Sequence, residues 1–219
     1  MNKYKIFFEK PYEEISQVLN TFLRDNNTII DIGCGDGILE DKIENFKECT
    51  IHCVDLDKES LDKLLYKGYR NNIIPYLDDA NKFIRGYYRR DVDVILLNAT
   101  LHEINDHANK EQYISCIFEK FSQILKPNGI VVVGDYFYPE YLSDKEIEKF
   151  VEYQKAVIGH ADPGYKFVNP ALLEKVARNK RFALEYESDI RAVEEIDRRY
   201  YIRVFRNPSN STNSSLLNS

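Results

Sequence analysis

Residues 28–37, TIIDIGCGDG, constrain this chain more than any other stretch. Thr28, Ile29 and Ile30 read as a short buried strand of β-branched residues, and Asp31-Ile32 carries it to its end. Three glycines then follow at alternate positions, Gly33, Gly35 and Gly37. Glycine lacks a Cβ, so the backbone can turn sharply there and present bare N–H groups to a ligand. A strand that breaks into spaced glycines marks a place where backbone comes close to something bound.

The rest of the chain alternates. Apolar residues at helical spacing predict a leading helix over residues 8–24, ending at the polar run 24–27. After the glycine loop, Ile38, Leu39, Ile43 and Phe46 mark a helix. Strands are expected at 50–54, 72–77, 92–97 and 130–133, with helices at 58–66, 80–84 and 111–125 between them and a turn at Lys126-Pro127-Asn128-Gly129. This spacing argues for parallel βαβ units in a doubly wound α/β sheet, and the wholly apolar run VDVILL suits a sheet covered on both faces. Beyond Asp135 helices are expected at 143–158 and 170–178, then strands at 182–186 and 200–205 joined by the charged run AVEEIDRR. The tail from Asn207 is polar, of low complexity, and expected to be disordered.

A net charge of −6 argues against a nucleic-acid partner. No long apolar stretch suggests a signal peptide or a bilayer span, which makes a cytoplasmic location the simplest expectation. Cys34, Cys49, Cys53 and Cys116 lack zinc-site spacing. Cys34 in the glycine loop reads either as a reactive thiol or as a small side chain tolerated there. His102 and His107 are five apart, so a helix would turn them roughly 140° from each other, and a zinc-binding HExxH is excluded.

A dinucleotide fingerprint, GxGxxG, would need a glycine where this chain has Ile38, and no phosphate-cradling GxxxxGK[ST] loop is present. DIGCGDG instead resembles the first motif of class I S-adenosylmethionine-dependent methyltransferases. CVDLDKESL, DANKF, VDVILLNATLHEI and LKPNGIVVVGD resemble the family's four further motifs, in order, from about residue 25 to residue 138. The resemblance implies a single Rossmann-like domain over residues 1–206. Its seven strands would lie in the order 3-2-1-4-5-7-6, the last antiparallel, with a helical acceptor cap inserted at about 136–180.

It also implies S-adenosylmethionine as cofactor and assigns residues to it. Asp55, about twenty residues past the first glycine, would accept both ribose hydroxyl protons. Asp79 with Ala80 would contact adenine, and Asp78 competes for that role. Asp31 would serve the methionine ammonium, while Gly33 and Gly35 let backbone approach. Cys34, Leu56, Asn98 and Ala99 complete the cofactor set. The segment from Asn98 to His102 would pass beneath the sulfonium.

The acceptor is expected to be a small molecule methylated on oxygen or nitrogen, with no metal required; the alternatives are a protein or RNA acceptor, or a catalytically silent cofactor-binding regulatory partner. His102, an imidazole directly after the fourth strand, and Tyr136 are the catalytic candidates. Both are also substrate-binding candidates, with Tyr138, His160 and Tyr165, the last two in the loop GHADPGYKF. Phe7, Phe8 and Tyr12 read as an aromatic lid or as core of the first helix. Monomer and homodimer both remain open.

Overall fold

The computed structural model describes residues 3–44, 48–159, 161, 166–193 and 198–208. Among them seven strands form one sheet in the order β3-β2-β1-β4-β5-β7-β6. They are β1 (Thr28–Ile32), β2 (Thr50–Asp55), β3 (Asn72–Leu77), β4 (Val92–Asn98), β5 (Leu125–Phe137), β6 (Ala183–Val193) and β7 (Arg198–Arg206). The first five pair in parallel, and β7 inserts antiparallel between β5 and β6.

Strand periodicity explains why the core divides in two. Successive side chains point to opposite faces, so Ile29, Val94 and Leu96 join one apolar cluster while Ile30, Ile95 and Leu97 join the other. The first cluster is closed by α1 (Lys3–Phe22), α2 (Ile38–Glu44) and α3 (Lys58–Tyr66), through Ile15, Leu19, Leu39, Ile43 and Leu64. The second is closed by α4 (Ala80–Gly86), α6 (Lys110–Ile124) and α8 (Pro170–Asn179), through Phe83, Ile114, Phe118, Leu173 and Val176. A short α5 (Leu101–Ile104) follows β4 directly, and α7 (Asp144–Ile158) lies beyond β5.

Four details depart from the sequence reading. Residues 126–129 fall inside β5 but leave its ladder: Val92 pairs with Leu125 and Val94 with Ile130, so the expected turn survives as a bulge with Asn128 at φ 65°. β6 is longer than expected because it is an edge strand, where charged side chains stand in solvent without cost. α8, at the end of the segment expected as a cap, buries Leu173, Val176 and Ala177 against the sheet and is one of its covering helices. Asn207 is buried, and its N–H donates to the Gly129 carbonyl at 2.8 Å, so order continues past Arg206; residues 209–219, most of the expected tail, lie outside the described residues. Among the described residues no helix is long and apolar enough to cross a membrane.

Candidate active site

At the carboxyl ends of β1, β2 and β4 the chain leaves a cleft of about 260 Å³. Open parallel sheets place ligands at such ends, where neighbouring connections diverge. Its walls come from the glycine loop and β2 end (Gly33, Val54, Asp55, Leu56), from the β3–α4 corner (Asp78, Asp79, Ala80) and from the β4–α5 corner (Ala99, Thr100, Glu103, Ile104).

The glycine loop is stapled to β2. The Gly33 and Cys34 N–H groups donate to the Val54 carbonyl at 2.8 and 3.3 Å. The Gly35 N–H donates to Asp55 Oδ2 at 2.8 Å, and the Asp57 N–H donates to Asp55 Oδ1 at 2.8 Å. Asp55 thus closes its strand with both oxygens aimed by backbone, and each keeps capacity to accept another proton. Asp57 differs, because its carboxylate caps α3 by accepting from the Glu59 N–H and the Ser60 hydroxyl. Gly33 has φ +76°, and a Cβ there would fall 2.7 Å from Thr100 Cγ2, so only glycine fits where loop and β4 corner meet.

At the β3–α4 corner Asp79 caps α4 through the Lys82 N–H, at 2.9 Å, while Asp78 accepts from the Lys82 ammonium at 2.8 Å. Both line the cleft, and the geometry does not choose between them. Ala99 sits at φ +52° and its N–H donates to the Gly134 carbonyl at 2.7 Å, which turns the chain sharply after β4. The adjoining Asn98 is buried, its Oδ1 accepting from the Tyr200 hydroxyl and its amide N–H donating to the Tyr12 hydroxyl oxygen. Gly134 makes room for Tyr200 and Ile15 to pass over β5; a Cβ there would meet Ile15 Cδ1 at 2.8 Å.

Behind the loop, Asp31 is 2% exposed and Glu40 0% exposed, and burial together with their mutual contact pushes the Asp31 carboxyl up. Burial pushes Glu40 up as well. Cys34 is buried with its Sγ 3.7 Å from the Gly35 carbonyl.

His102, the second residue of α5, is buried against β5. Its N–H donates to Asp135 Oδ2 at 2.9 Å, and its ring Nδ1 lies 2.7 Å from Asp135 Oδ1. A carboxylate can only accept, so Nδ1 carries the proton and Nε2 is the basic nitrogen. Nε2 lies 3.4 Å from Glu103 Oε1, and Glu103 in turn meets the Lys166 ammonium at 3.0 Å. The Phe167 ring packs 5.0 Å from the imidazole, with Tyr138 at 5.6 Å from Phe167 and Phe150 at 6.0 Å from Tyr138.

Gly33, Asp55, Leu56, Asp79, Ala80 and Ala99 therefore share the cleft, with Gly35 bonded to its wall and Asp31, Cys34 and Asn98 one layer behind. Tyr136 is not brought to the cleft. Strand alternation turns Asp135 toward α5 and Tyr136 to the opposite face, where it is 2% exposed and its ring stands on Tyr200 at 5.1 Å. Tyr138 stands in the aromatic wall beside His102, while His160 and Tyr165 lie outside the described residues. The sequence reading missed Glu40, Glu103 and Asp135 as site residues. A carboxylate ending the fifth strand was a usable signal for Asp135; nothing local marked Glu40. No group of three or more metal-ligating side chains occurs among the described residues.

A family model described as a methyltransferase domain matches residues 30–131, from β1 to the entry of β5. The chain is 25% identical over 190 residues to a sterol 24-C-methyltransferase of Clavispora lusitaniae, covering 82% of this chain and 46% of that protein. It is 27% identical over 169 residues to malonyl-[acyl-carrier protein] O-methyltransferase 2 of Ilyobacter polytropus, covering 70% and 61%. The chain thus spans about half the length of the curated relatives it matches. Among solved structures, Haemonchus contortus phosphoethanolamine N-methyltransferase 2 in complex with S-adenosyl-L-methionine superposes with a TM-score of 0.70 at 15% identity, over 90% of this chain and 53% of that one. A methyltransferase from Methanosarcina mazei gives 0.64 at 14% identity, over 88% and 97%. At these identities the structural likenesses establish the fold.

Proposed function

We propose that this chain, which belongs to the class I S-adenosylmethionine-dependent methyltransferase superfamily, is an enzyme that methylates oxygen or nitrogen of a small molecule with S-adenosylmethionine. The observation that carries the reading is Asp55, whose two oxygens are fixed by the Gly35 and Asp57 N–H groups at the mouth of the glycine loop. A carboxylate so placed suits a pair of vicinal hydroxyls. The cofactor fits the residues present in two further respects. Nothing lies within 4 Å of where a Gly35 Cβ would be, so the loop offers bare backbone to a ligand. Asp31 Oδ1 is buried without a hydrogen-bond partner, as a site for an ammonium group requires.

S-adenosylmethionine would supply a methyl group already activated on a sulfonium. The chain's own task is then alignment, exclusion of water and removal of one proton from the acceptor. Asp55 would hold the ribose, Asp79 or Asp78 the adenine amine, and Asp31 the methionine end. Thr100 and Ala99 would floor the reacting centre. His102 would take the acceptor's proton at Nε2 while Asp135 keeps the ring in one tautomer and stabilises the imidazolium that forms. Tyr138, Phe150 and Phe167 would wall the acceptor side with apolar surface, with α7 as part of its cap. Support for oxygen or nitrogen as the methylated atom comes from this base and from the malonyl-[acyl-carrier protein] O-methyltransferase among the similar proteins, against the sterol 24-C-methyltransferase also matched there.

The test is incubation of the purified chain with methyl-labelled S-adenosylmethionine and a metabolite extract. Label recovered in a low-mass product supports the reading. Label recovered only in protein or RNA contradicts it, and an absence of transfer by a chain that binds the cofactor would point to a silent cofactor-binding partner.

A further inference from the structure

A second concavity, of about 340 Å³, opens between α4 and α6. Ile84 and Arg85 line it from α4. Tyr113, Cys116, Ile117 and Lys120 line it from α6, at intervals of three and four residues that set them on one stripe of the helix. Ile84 and Ile117 are buried and give the groove an apolar floor, while the Cys116 thiol is exposed in its wall. Asn81 stands between groove and cleft. Its Oδ1 accepts from the Tyr113 hydroxyl at 2.6 Å, and its amide donates at 3.3 Å to the carbonyl of Ile104, a wall of the cleft. The groove shares no lining residue with the cleft, so it is a second concavity and not an extension of the first.

Two cations line this groove, and neither has a carboxylate partner among the described residues. Arg85 Nε donates to the Asn81 carbonyl of its own helix at 3.1 Å, and the Lys120 ammonium stands 4.8 Å from the centre of the Tyr88 ring. Neighbouring lysines are neutralised: Lys82 rests on Asp78, Lys175 on Glu111 and Lys180 on Glu119. The groove's one carboxylate, Asp106, accepts from the Ala108 and Asn109 N–H groups at 3.0 and 3.3 Å, where α6 begins. Lys120 lies about 16 Å further along that helix than Asn109, beyond its reach.

A single solvated lysine is ordinary surface. Here two uncompensated cations, in a chain of net charge −6, flank an apolar floor. The hollow falls within the size of small-molecule sites, roughly 300–1,000 Å³. Such a surface attracts an acidic group by charge and holds an apolar body by burial.

We propose that the α4–α6 groove binds a small organic anion, its acidic head between Arg85 and Lys120 and its apolar body on Ile84 and Ile117. The ligand class is a carboxylate, sulfonate or phosphate ester carried on an aromatic or short alkyl body.

The probe for the test is 8-anilinonaphthalene-1-sulfonate, one sulfonate on an aromatic body. Cys116 supplies a readout at the groove itself, because the other three cysteines are buried. Saturating probe should slow alkylation of Cys116 by iodoacetamide in the full chain, followed by peptide mass spectrometry. N-phenyl-1-naphthylamine, the same body without the sulfonate, should leave the thiol unprotected. In the double variant Arg85→Gln, Lys120→Gln, half-protection should need about tenfold more probe. Alkylation unchanged at saturation, equal protection by the uncharged compound, or undiminished protection in the double variant overturns the proposal.

Discussion

His102 meets Asp135 twice, through its backbone N–H at 2.9 Å and its ring Nδ1 at 2.7 Å. The same carboxylate accepts the Tyr136 N–H at 2.8 Å and has no exposed surface. One buried side chain therefore fixes the position of α5, the rotation of the imidazole and its tautomer. Asp135→Asn preserves volume but offers an amide that can donate to the ring, which would move the proton to Nε2. Turnover is expected to fall on the order of a hundred-fold, with cofactor affinity nearly unchanged. Parallel measurement of turnover and cofactor affinity checks this; a loss confined to affinity would contradict it.

Gly33→Ala places a methyl group against Thr100 and forces a left-handed conformation on alanine. The expected cost is about 1–3 kcal/mol of stability. Thr100→Ala in the same chain should restore part of it, because the clash is with that side chain. Denaturant melts of the single and double variants show whether the two changes are coupled.

The Asp31–Glu40 pair carries a pH signature in the absence of cofactor. Both carboxyls are raised in the folded chain, chiefly by burial, so the folded state binds more protons than the unfolded state above the ordinary carboxylate range. Their contribution to stability is complete below that range and is lost as pH rises through the raised values. The wild-type chain should thus lose stability relative to Glu40→Gln as pH climbs from about 4 toward neutrality. Melting temperatures of both proteins across that window test the sign; a wild type that gains on the variant would refute it.

Arg203 lies 5% exposed between α8 and the β6–β7 pair, bonded to Glu174 and, at 2.8 Å, to Asp189. Arg203→Ala strips the counter-ion from Glu174 on α8. A loss of about 3 kcal/mol is expected, read from urea unfolding followed by circular dichroism. Loss of less than about 0.5 kcal/mol would mean that α8 is held by its apolar face alone.

Much of this arrangement was legible in the residues. Strand–helix alternation with wholly apolar central strands gave the sheet, and GxGxG followed by Asp55 at βαβ distance gave the cleft. Legibility stopped where contacts depend on which face a side chain takes. Tyr136 looked accessible because it follows the fifth strand's apolar run, yet one step of strand alternation sends it into the core and leaves Asp135 facing His102. Glu40 was indistinguishable from a solvated helix residue until packing of α2 brought it onto Asp31. Asp57 and Asp55 were alike in sequence and differ only because one caps a helix. The charged stretch of β6 hid a strand, since an edge tolerates charge that a central strand would not.

The central claim is that Asp55 and the loop it anchors bind S-adenosylmethionine, and its most direct test is calorimetric titration of that cofactor into the wild-type chain and Asp55→Ala. The account predicts one site per chain in the wild type and affinity weaker by on the order of a hundred-fold in the variant, the loss of two charge-assisted hydrogen bonds. No binding by the wild type, or equal affinity in the two proteins, would contradict it.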